Sequence, residues 1–308
     1  MQNNPLVSVI LPSYNHAKYL PERIESILSQ DYGNFELIII DDCSPDNSRE
    51  VIEQYRNDAH IAHIIFNEQN TGNTFCQWEK GLQLAKGEYV WIAESDDKAD
   101  STFLSKMMDK LVSEPDAVLA FSHSHIIDAE GKEILPNVWD GRSKYKYGGV
   151  YNSHFFCLTR MLYYNAPYNA SMVVFRKKYV QGVSAEYKKY RHAGDYQFWL
   201  EMCMQGKVIE HPEPLNYFRQ HNNKVSVRGH DEALLENAAI VNNAINMLCL
   251  SSYQISCLKG KYIKRWKRAK EATKQQAREQ YPNVYGGNSW CVLVYTIDKI
   301  FNFSKMQS

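Results

Sequence analysis

The chain has 308 residues and a mass of 35.8 kDa, enough for one large α/β domain or for a domain with an appendage. Lys+Arg and Asp+Glu number 35 each, so the formal net charge is zero, which excludes a globally basic nucleic-acid binder and an acidic disordered tail. The seven cysteines form no C-x-x-C pair, which disfavours a secreted disulfide framework or a cysteine-rich zinc module and favours a reducing compartment.

The sequence shows no targeting or membrane-spanning pattern. The N-terminal MQNNPLVSVILPSYN lacks a charged segment followed by a long apolar stretch, and the most apolar C-terminal run, Trp290 to Ile297, stops at Asp298 and Lys299. We therefore expect neither a signal peptide nor a transmembrane helix. The expected location is cytoplasmic, either free or peripheral on the cytoplasmic face of a membrane.

The first hundred residues alternate short apolar segments with helical patterns, which is typical of βαβ units and a mostly parallel sheet. Strands are predicted at Val7–Leu11, Phe35–Ile40, Glu88–Ala93, Val118–Ser122, His125–Asp128, Val208–Glu210 and Leu215–Arg219. Helices are predicted from Pro21, from about Ser48, after the loop Asn67–Asn73, after a cap at Ser101, from Asp195 and from Asp231. We predict an α/β fold with an open, mostly parallel but mixed sheet flanked by helices.

The second half of the chain has a different character. The tyrosine-rich stretch Tyr145–Tyr168 matches neither period and receives no assignment, whereas the residues after Asp231 carry a helical packing seam. We therefore predict a domain boundary near Gly229. It separates an α/β domain, residues 1–228, from a helical and basic C-terminal extension, residues 229–308.

Acidic residues follow several predicted strands. Asp41 and Asp42 end one strand, Asp96 and Asp97 end another, and Asp195 opens a later helix. In an open α/β sheet the ligand crevice lies beyond the carboxyl ends of the strands. Neighbouring carboxylates suit Mg²⁺ or Mn²⁺, which would bind a diphosphate, although an isolated Asp-Asp pair is more often a solvated turn.

Two common nucleotide-binding motifs are absent from the sequence. No G-x-G-x-x-G follows the first strand and no G-x-x-x-x-G-K-[ST] occurs, which disfavours a Rossmann dehydrogenase and a P-loop NTPase. The first strand instead continues into Pro12-Ser13-Tyr14-Asn15. The ring of Tyr14 is suited to stack on a planar base, and it equally fits an ordinary rim tyrosine.

Six motifs occur in a characteristic order along the chain: VSVILPSYN, FELIIIDDCSPDNS, NEQNTGN, AKGEYVWIAESDD, AGDYQFW and LNYFRQH. As a set, over about residues 5–228, they resemble an inverting family-2 glycosyltransferase with the GT-A fold. The resemblance implies a nucleotide-diphosphate sugar donor, with a UDP-sugar favoured, and Mn²⁺ or Mg²⁺ as cofactor. It also implies transfer of a hexosyl or N-acetylhexosaminyl group, with inversion, to a saccharide or lipid-linked saccharide in bacterial surface polysaccharide or lipid-linked oligosaccharide synthesis.

The same resemblance implies roles for individual residues. Tyr14 would pack against the nucleobase, and Asp42 would accept a hydrogen bond from it. Asp97 would be the main metal ligand, with Asp96 facing the donor sugar or ribose and also able to bind the metal, and Asp195 would be the catalytic base. The implied nucleotide- and donor-binding residues are Pro12, Tyr14, Asn15, Asp42, Asn70, Gly72, Asp96, Arg219 and His221.

The chain departs from the family pattern at three places. Glu94 replaces the commoner Asp at the start of the metal motif. The usual donor-contacting arginine is missing from Phe75-Cys76-Gln77-Trp78, which leaves Gln77 and Lys80 as candidates to replace it. Gly194 precedes Asp195 where an acidic residue is common, so a helper carboxylate would have to come from elsewhere. Asp195 also has a plain alternative role as a helix cap.

Two further regions suggest partners. Tyr145–Tyr168 is the predicted acceptor region, because aromatic faces stack on sugars, although tyrosines also serve as packing residues. Residues 259–280 carry nine Lys or Arg against two Glu, interleaved with Tyr262, Ile263 and Trp266. This composition fits a contact with an anionic membrane surface, and equally a solvated helix face that balances an acidic catalytic domain. We expect no nucleic-acid partner.

Two other functions fit the sequence less well. A sugar-phosphate nucleotidyltransferase normally needs a basic, glycine-rich loop after the first strand, and Pro12–His16 is neither. A non-catalytic nucleotide or sugar binder would not need Asp42, Asp96, Asp97 and Asp195 together. A glycosyltransferase therefore remains the leading hypothesis.

Overall fold

A computed structural model describes residues 4–135, 148–221 and 230–301 of the chain. Within these ranges the residues group into two compact units. The first unit holds residues 4–135, 148–151, 169–183 and 205–221, and the second holds residues 152–168, 184–204 and 230–301. The predicted boundary at Gly229 lies outside the described residues. A single division there does not anticipate that residues 152–168 and 184–204 cluster with the C-terminal helices, because local patterns do not reveal which core an apolar face will join.

The first unit is built on one mixed sheet. Its described strands are β1 (Val7–Ser13), β2 (Phe35–Asp41), β3 (Ile61–Phe66), β4 (Tyr89–Ile92), β5 (Lys98–Ala99), β6 (Ala117–Ile127), β7 (Glu133–Leu135), β8 (Gly149–Tyr151), β9 (Val173–Arg176) and β10 (Lys207–Arg219). Their order is β3-β2-β1-β4-β9-β6-β10-β5, with β7 beside β6 and β8 beside β10. β1 to β4 run parallel, as do β6 and β10, whereas β9 is antiparallel to both of its neighbours. The mixed, mostly parallel α/β sheet predicted from the sequence is confirmed.

Both units contain helices. Those of the first unit are α1 (Leu20–Leu28), α2 (Ser48–Glu53), α3 (Thr74–Leu84) and α4 (Phe103–Ser113). Those of the second are α5 (Ser153–Phe156), α6 (Leu162–Tyr164), α7 (Gly194–Cys203), α8 (His230–Met247), α9 (Ser252–Arg265), α10 (Glu271–Gln280), α11 (Pro282–Tyr285) and α12 (Ser289–Phe301). A π-helical turn, Cys157–Met161, joins α5 to α6. Within the described ranges no helix combines the length and the apolarity needed to cross a bilayer.

The register of the parallel strands positions the polar loops. Val7 of β1 pairs with Phe35 of β2 on one side and with Tyr89 of β4 on the other, so the three strands begin level and run in the same direction. All residues of these strands are buried, which explains their largely apolar sequences. The polar residues that follow each strand therefore emerge at one edge of the sheet.

Several boundaries differ from the sequence-based ones. The two segments predicted around residues 118–128 form the single strand β6, and those predicted around 208–219 form β10, whose register against β6 shifts around Pro214. A bulge lets a strand continue through residues that interrupt the alternating pattern. Strands β3, β5, β7, β8 and β9 were not predicted. Helix α4 begins at Phe103 rather than after a cap at Ser101, because Asp100 accepts the N–H of Thr102 at 2.9 Å.

The unassigned tyrosine-rich stretch is part strand and part helix. Its first residues, 145–147, lie outside the described residues. Beyond them the chain forms β8 and then the helical segment from α5 to α6. The short elements and the π-helical turn explain why neither a period of two nor one of 3.6 fits this stretch.

Helix α3 packs tightly on β1 at a glycine. A Cβ atom added to Gly81 would overlap Cγ2 of Ile10, a fully buried residue. Any residue with a side chain at this position would force α3 away from the sheet. The loop that leads into α3 carries several predicted donor-binding residues, so this contact helps to fix their height above the sheet.

Replacing Gly81 with Ala is expected to destabilise the protein by about 1–2 kcal/mol net, because overpacking outweighs the ~1 kcal/mol that Ala gains over Gly in a helix. The midpoint of urea unfolding, followed by circular dichroism, measures the change. Gly33→Ala is the matched control, since no atom lies within 4 Å of the added Cβ there. A Gly81→Ala protein as stable as the parent would contradict the prediction.

Candidate active site

The loops that follow β1 and β2 are bonded to each other. Asn15 adopts a left-handed conformation with φ 56°, and its N–H donates to Oγ of Ser44 at 2.9 Å. The Ser44 hydroxyl in turn donates to Oδ1 of Asp41 at 2.5 Å. This arrangement fixes the Pro12–Asn15 segment at the sheet edge, where the ring of Tyr14 is 46% exposed. A rigidly supported, exposed aromatic ring is suited to stack on a base.

Asp42 organises the loop before α3. Its buried carboxylate accepts from Nδ2 of Asn67 at 2.8 Å, from the N–H of Thr71 at 3.0 Å and from the hydroxyl of Thr71 at 2.8 Å. The two candidates for the missing arginine reach the same loop, because Lys80 donates to Oδ1 of Asn67 at 2.8 Å and Gln77 donates to Oγ1 of Thr71 at 3.0 Å. A hydrogen bond from a nucleobase to Asp42 stays a prediction, and it would add to a carboxylate that already holds this loop.

The tip of that loop is a tight turn. The side-chain oxygen of Asn70 accepts the N–H of Gly72 at 2.5 Å, and Gly72 has φ 70°. Asn73 then caps α3 by accepting the N–H of Phe75 at 2.9 Å. Asn70 and Gly72 are therefore placed by the turn, and the sequence motif corresponds to a real structural unit.

Asp97 is buried and bonded within the fold. One of its oxygens accepts from Nδ2 of Asn169 at 2.8 Å, and the other accepts the N–H of Arg219 at 3.0 Å. Asn169 was not identified from the sequence, and it lies far from the metal motif along the chain. These bonds link the segment after β4 to the end of β10, so the Asp97 carboxylate has a structural role.

Asp96 lies beside two histidines. Across the described part of the chain, His16, Asp96 and His221 form a group whose ligand atoms all lie within 4.8 Å of one another. Nε2 of His221 is 3.0 Å from Oδ2 of Asp96, and Nδ1 of His16 is 2.8 Å from Oγ of Ser95. Two imidazoles and a carboxylate at this spacing can share one divalent ion.

Arg219 braces the same cluster through its guanidinium. Nε donates to the carbonyl oxygen of Asp96 at 2.7 Å, Nη1 donates to the carbonyl of Asp128 at 3.1 Å, and Nη2 is bonded to the carboxylate of Glu22. The side chain is buried. Contact between Arg219 and a diphosphate therefore stays a prediction, since in this structure these donors serve the protein.

A second buried arginine was missed by sequence reasoning. Arg23 of α1 is fully buried over the ring of Trp91, with its Cζ 4.9 Å from the centroid. Within the described residues its three side-chain nitrogens have no hydrogen-bond partner. Burial lowers the pKa of Arg23 to about 10, and the carboxylates of Asp97 and Asp96 oppose that shift. Arg23 thus places a positive charge behind the acidic cluster.

Glu94 is held from two sides. Nε1 of Trp78 donates to its Oε1 at 3.0 Å, and its own N–H donates to Oγ of Ser171 at 3.0 Å. The extra methylene of Glu relative to Asp is thus accommodated by a bond to the indole of α3. Trp78 stands in the segment where the arginine is missing, so the two departures from the family pattern contact each other.

Asp195 belongs to the second unit, in the first turn of α7. Burial raises its pKa to about 6, the N–H of Tyr196 at 2.7 Å opposes the rise, and the charge of Glu236 adds to it. The N-cap position is occupied by Ala193, so Asp195 lies inside the helix rather than capping it. A carboxyl group that titrates near neutral pH is well matched to general base catalysis.

Besides Asn169, three site residues were not identified from the sequence. His16 follows the PSYN segment, but only the fold brings it to Asp96. Arg23 interrupts an otherwise apolar helical stripe, and such an interruption is a usable signal for a buried charge. Glu236 contributes from α8, and nothing in the local sequence connects it to Asp195.

The sequence is similar to those of known glycosyltransferases. The model of Glycosyl transferase family 2 matches residues 8–179. A Haemophilus influenzae protein named as an uncharacterized glycosyltransferase is 31% identical over 236 residues, which are 75% of this chain and 71% of that protein. TuaG of Bacillus subtilis, whose name assigns it to teichuronic acid biosynthesis, is 32% identical over 158 residues, which are 51% of this chain and 62% of TuaG. The aligned part thus spans less than two thirds of TuaG.

Solved structures share the fold at low sequence identity. Residues 1–349 of TarS from S. aureus superpose with a TM-score of 0.64 and 19% identity, covering 91% of this chain and 81% of that one. The mannosyltransferase PcManGT of Pyrobaculum calidifontis, solved with GDP-Man and Mn²⁺, gives a TM-score of 0.58 and 14% identity over 98% and 89%. The family model covers more than half of the chain and agrees with the relatives, so the chain belongs to glycosyl transferase family 2 and is a glycosyltransferase.

Proposed function

We propose that the protein is a metal-dependent, inverting glycosyltransferase that moves a sugar from a nucleotide diphosphate, with a UDP-sugar favoured, to a saccharide hydroxyl. The observation that carries the proposal is the group of His16, Asp96 and His221 in the first unit, at the strand edge that also bears the exposed ring of Tyr14. The neighbours support the donor class, since TarS was solved with UDP-GlcNAc and PcManGT with GDP-Man.

A role in surface polysaccharide synthesis rests on the relatives. TuaG is named for teichuronic acid, and WcaA of Escherichia coli, 40% identical over 101 residues, is named for colanic acid. A saccharide or lipid-linked saccharide acceptor would fit such a role here.

The donor set fits a divalent metal. His16, Asp96 and His221 offer two nitrogens and one oxygen within 4.8 Å of one another. Mg²⁺ prefers an all-oxygen set with bound water, and the structural neighbour PcManGT was solved with Mn²⁺, so we propose Mn²⁺. When bound, the ion would offset negative charge on the departing diphosphate. Asp97 was predicted as the main ligand, but its bonds to Asn169 and Arg219 favour Asp96 for this role.

The chain's own residues account for the proton and for the donor. Asp195, ionised above its raised pKa, would accept the proton of the acceptor hydroxyl as that oxygen forms a bond to the anomeric carbon. The bond from that carbon to the diphosphate oxygen breaks on the opposite face, which inverts the centre. Tyr14 and the Pro12 backbone would hold the nucleobase of the donor, while Asp42 keeps the Asn67–Thr71 loop in place.

Incubation of the full chain with UDP-, GDP- and dTDP-sugars, with Mn²⁺ or Mg²⁺ and a mixture of glycan acceptors, tests the proposed function. Release of nucleoside diphosphate from one donor, dependent on metal and faster with Mn²⁺, is the expected result. Product NMR then reports the anomeric configuration. Retention at that centre would refute the inverting mechanism, and absence of release from every donor would refute the assigned activity.

Asp96→Asn is expected to weaken Mn²⁺ binding by about 10–100-fold, the loss typical for disturbed metal sites, and to leave the thermal midpoint near that of the parent. Asp97→Asn is the matched comparison. It is expected to lower the thermal midpoint, because one of its two hydrogen bonds to Asn169 and Arg219 meets an amide instead of a carboxylate oxygen. Calorimetric titration of Mn²⁺ in the presence of UDP measures the first effect, and the reverse pattern would assign the metal to Asp97.

Asp195→Asn is expected to abolish transfer and to leave folding and donor binding intact, because the amide cannot accept the proton. Steady-state turnover and fluorescence titration of the donor measure the two properties. Glu186→Gln, an exposed neutral substitution in the same unit, should keep parent activity. Near-normal turnover of Asp195→Asn would contradict the assignment of the base.

The pH dependence of kcat/KM should show an acid limb. Because the pKa of Asp195 is raised from 3.8 to about 6, the carboxylate becomes protonated as pH falls through 6, and log kcat/KM should decline by about one per pH unit below that value. The profile is measured at saturating Mn²⁺, and a tenfold higher Mn²⁺ concentration should leave the limb unchanged. A limb that moves with Mn²⁺ would instead show that metal binding, and not Asp195, determines it.

A further inference from the structure

The segment before α7 is held by one carboxylate from α8. The N–H of Arg191 donates to Oε1 of Glu236 at 2.9 Å, and the N–H groups of His192 and Ala193 donate to Oε2 at 2.8 Å each. Three consecutive backbone donors thus converge on a single side chain. Such convergence of N–H groups forms an anion-binding concavity, and here the anion belongs to the protein.

This carboxylate holds the backbone directly ahead of α7. Ala193 is the N-cap of α7 and has no side chain able to accept a hydrogen bond, and Gly194 follows it. Glu236 accepts the N–H groups of the N-cap residue and of the two residues before it. It also brings a negative charge from a different helix to the N-terminal end of α7, which favours such a charge.

We infer that Glu236 is a positioning residue for Asp195: by holding the N–H groups of residues 191–193 it sets where α7 begins and thereby where the Asp195 carboxylate stands. The inference rests on the proposed role of Asp195 as base. Glu236 also answers the expectation that an acidic helper would come from elsewhere than position 194, since it is the acidic side chain whose charge acts on Asp195. It takes no part in proton transfer itself.

Glu236→Gln tests the inference in the full chain. The amide keeps the size of the side chain but replaces one acceptor oxygen with a donor, so it cannot hold all three N–H groups. The expected result is a fall in kcat of about 10–100-fold, as for a catalytic group displaced by ~1 Å, with the KM and Kd of the donor within twofold of the parent. Glu236→Asp, which keeps the carboxylate on a shorter arm, should recover part of kcat. Glu232→Gln, an exposed position on the same helix, is the control.

The outcomes separate the possible failures. Unchanged kcat in Glu236→Gln, or a parallel loss of kcat, donor affinity and thermal midpoint, would overturn the positioning role. If Asp195→Asn itself turns over normally, the proposed function fails at the base, whereas an inactive Asp195→Asn beside a fully active Glu236→Gln refutes this inference alone.

A second inference comes from an exposed apolar stripe on α12. Trp290, Leu293 and Ile297 are 64%, 49% and 37% exposed, and their spacing places them on one face of the helix. The neighbouring side of α12 is buried at Cys291 and Val294. We call these three exposed residues the α12 stripe. A large apolar patch of this kind marks an interaction surface.

The charge around the α12 stripe selects the partner. Residues 252–301 hold ten Lys or Arg against three Asp or Glu, and the one acid of α12, Asp298, is buried and accepts from the hydroxyl of Tyr253 at 3.3 Å. Exposed Lys264 lies alongside α12, with Nζ 2.8 Å from Oγ1 of Thr296. An apolar stripe in a positive field is complementary to an anionic bilayer, whereas the same field repels a second copy of the chain.

We propose that α12 lies in the interface of an anionic membrane, with the α12 stripe inserted and the surrounding cations on lipid headgroups. The apolar residues of this membrane contact therefore differ from those considered for residues 259–280 on the basis of the sequence. Of the apolar residues interleaved in that segment, Tyr262 and Trp266 are buried in the fold, so α12 rather than residues 259–280 supplies the apolar face.

Co-sedimentation of the full chain with vesicles tests this surface. The parent is expected to pellet with vesicles that contain phosphatidylglycerol and to stay in solution with pure phosphatidylcholine. Trp290→Ser/Leu293→Ser/Ile297→Ser should reduce the pelleted fraction at least fivefold, whereas Val112→Ser, an equally exposed apolar residue of α4, should not. Equal pelleting of the triple variant would overturn the proposal. A parent dimer in solution that the triple variant converts to monomer would assign the stripe to a second copy instead.

Discussion

The crowding of carboxylates at one edge of a buried sheet is the constraint on which the first unit depends. Parallel strands in register deliver Asp41, Asp42 and the Glu94–Asp97 segment to the same edge. Carboxylates in such surroundings repel one another unless cations and N–H donors compensate. Arg219 and Arg23 provide the compensating charge. Arg219 does so through directed hydrogen bonds, whereas Arg23 is a buried cation with no hydrogen-bond partner among the described residues.

Each acidic residue of this edge has a distinct task because its partners differ. Asp41 and Asp42 hold loops, and Asp97 ties β4 to β10 through Asn169 and the backbone of Arg219. Asp96 is the carboxylate that stands with two imidazoles. The hydrogen-bond donors around a motif carboxylate thus say more about its role than its residue type does. A carboxylate that already accepts several hydrogen bonds from the protein must give them up to bind a metal, which costs free energy.

Helix α7 shows the same principle with a single acid. Asp195 is a weak base by residue type, and its surroundings raise its pKa to about 6 through burial and through Glu236. The backbone ahead of it is in turn fixed by the same Glu236. One side chain from α8 therefore influences both where the proposed base stands and when it is ionised, and these are the two properties that general base catalysis requires.

The sequence by itself determined the α/β class, the strands β1, β2 and β4, and the acidic motifs at their ends, because continuous apolar runs and strand-end polar residues are local patterns. Only the tertiary structure decided that β9 separates β4 from β6, that residues 152–168 and 184–204 join the C-terminal helices, and that His16 meets His221. It also decided that the Asp97 carboxylate is hydrogen-bonded to Asn169 and Arg219, and that Glu236 binds the backbone just before Asp195. These facts arise from contacts between residues far apart in the chain, where neither hydrophobic period nor motif spacing carries information about which partners will meet.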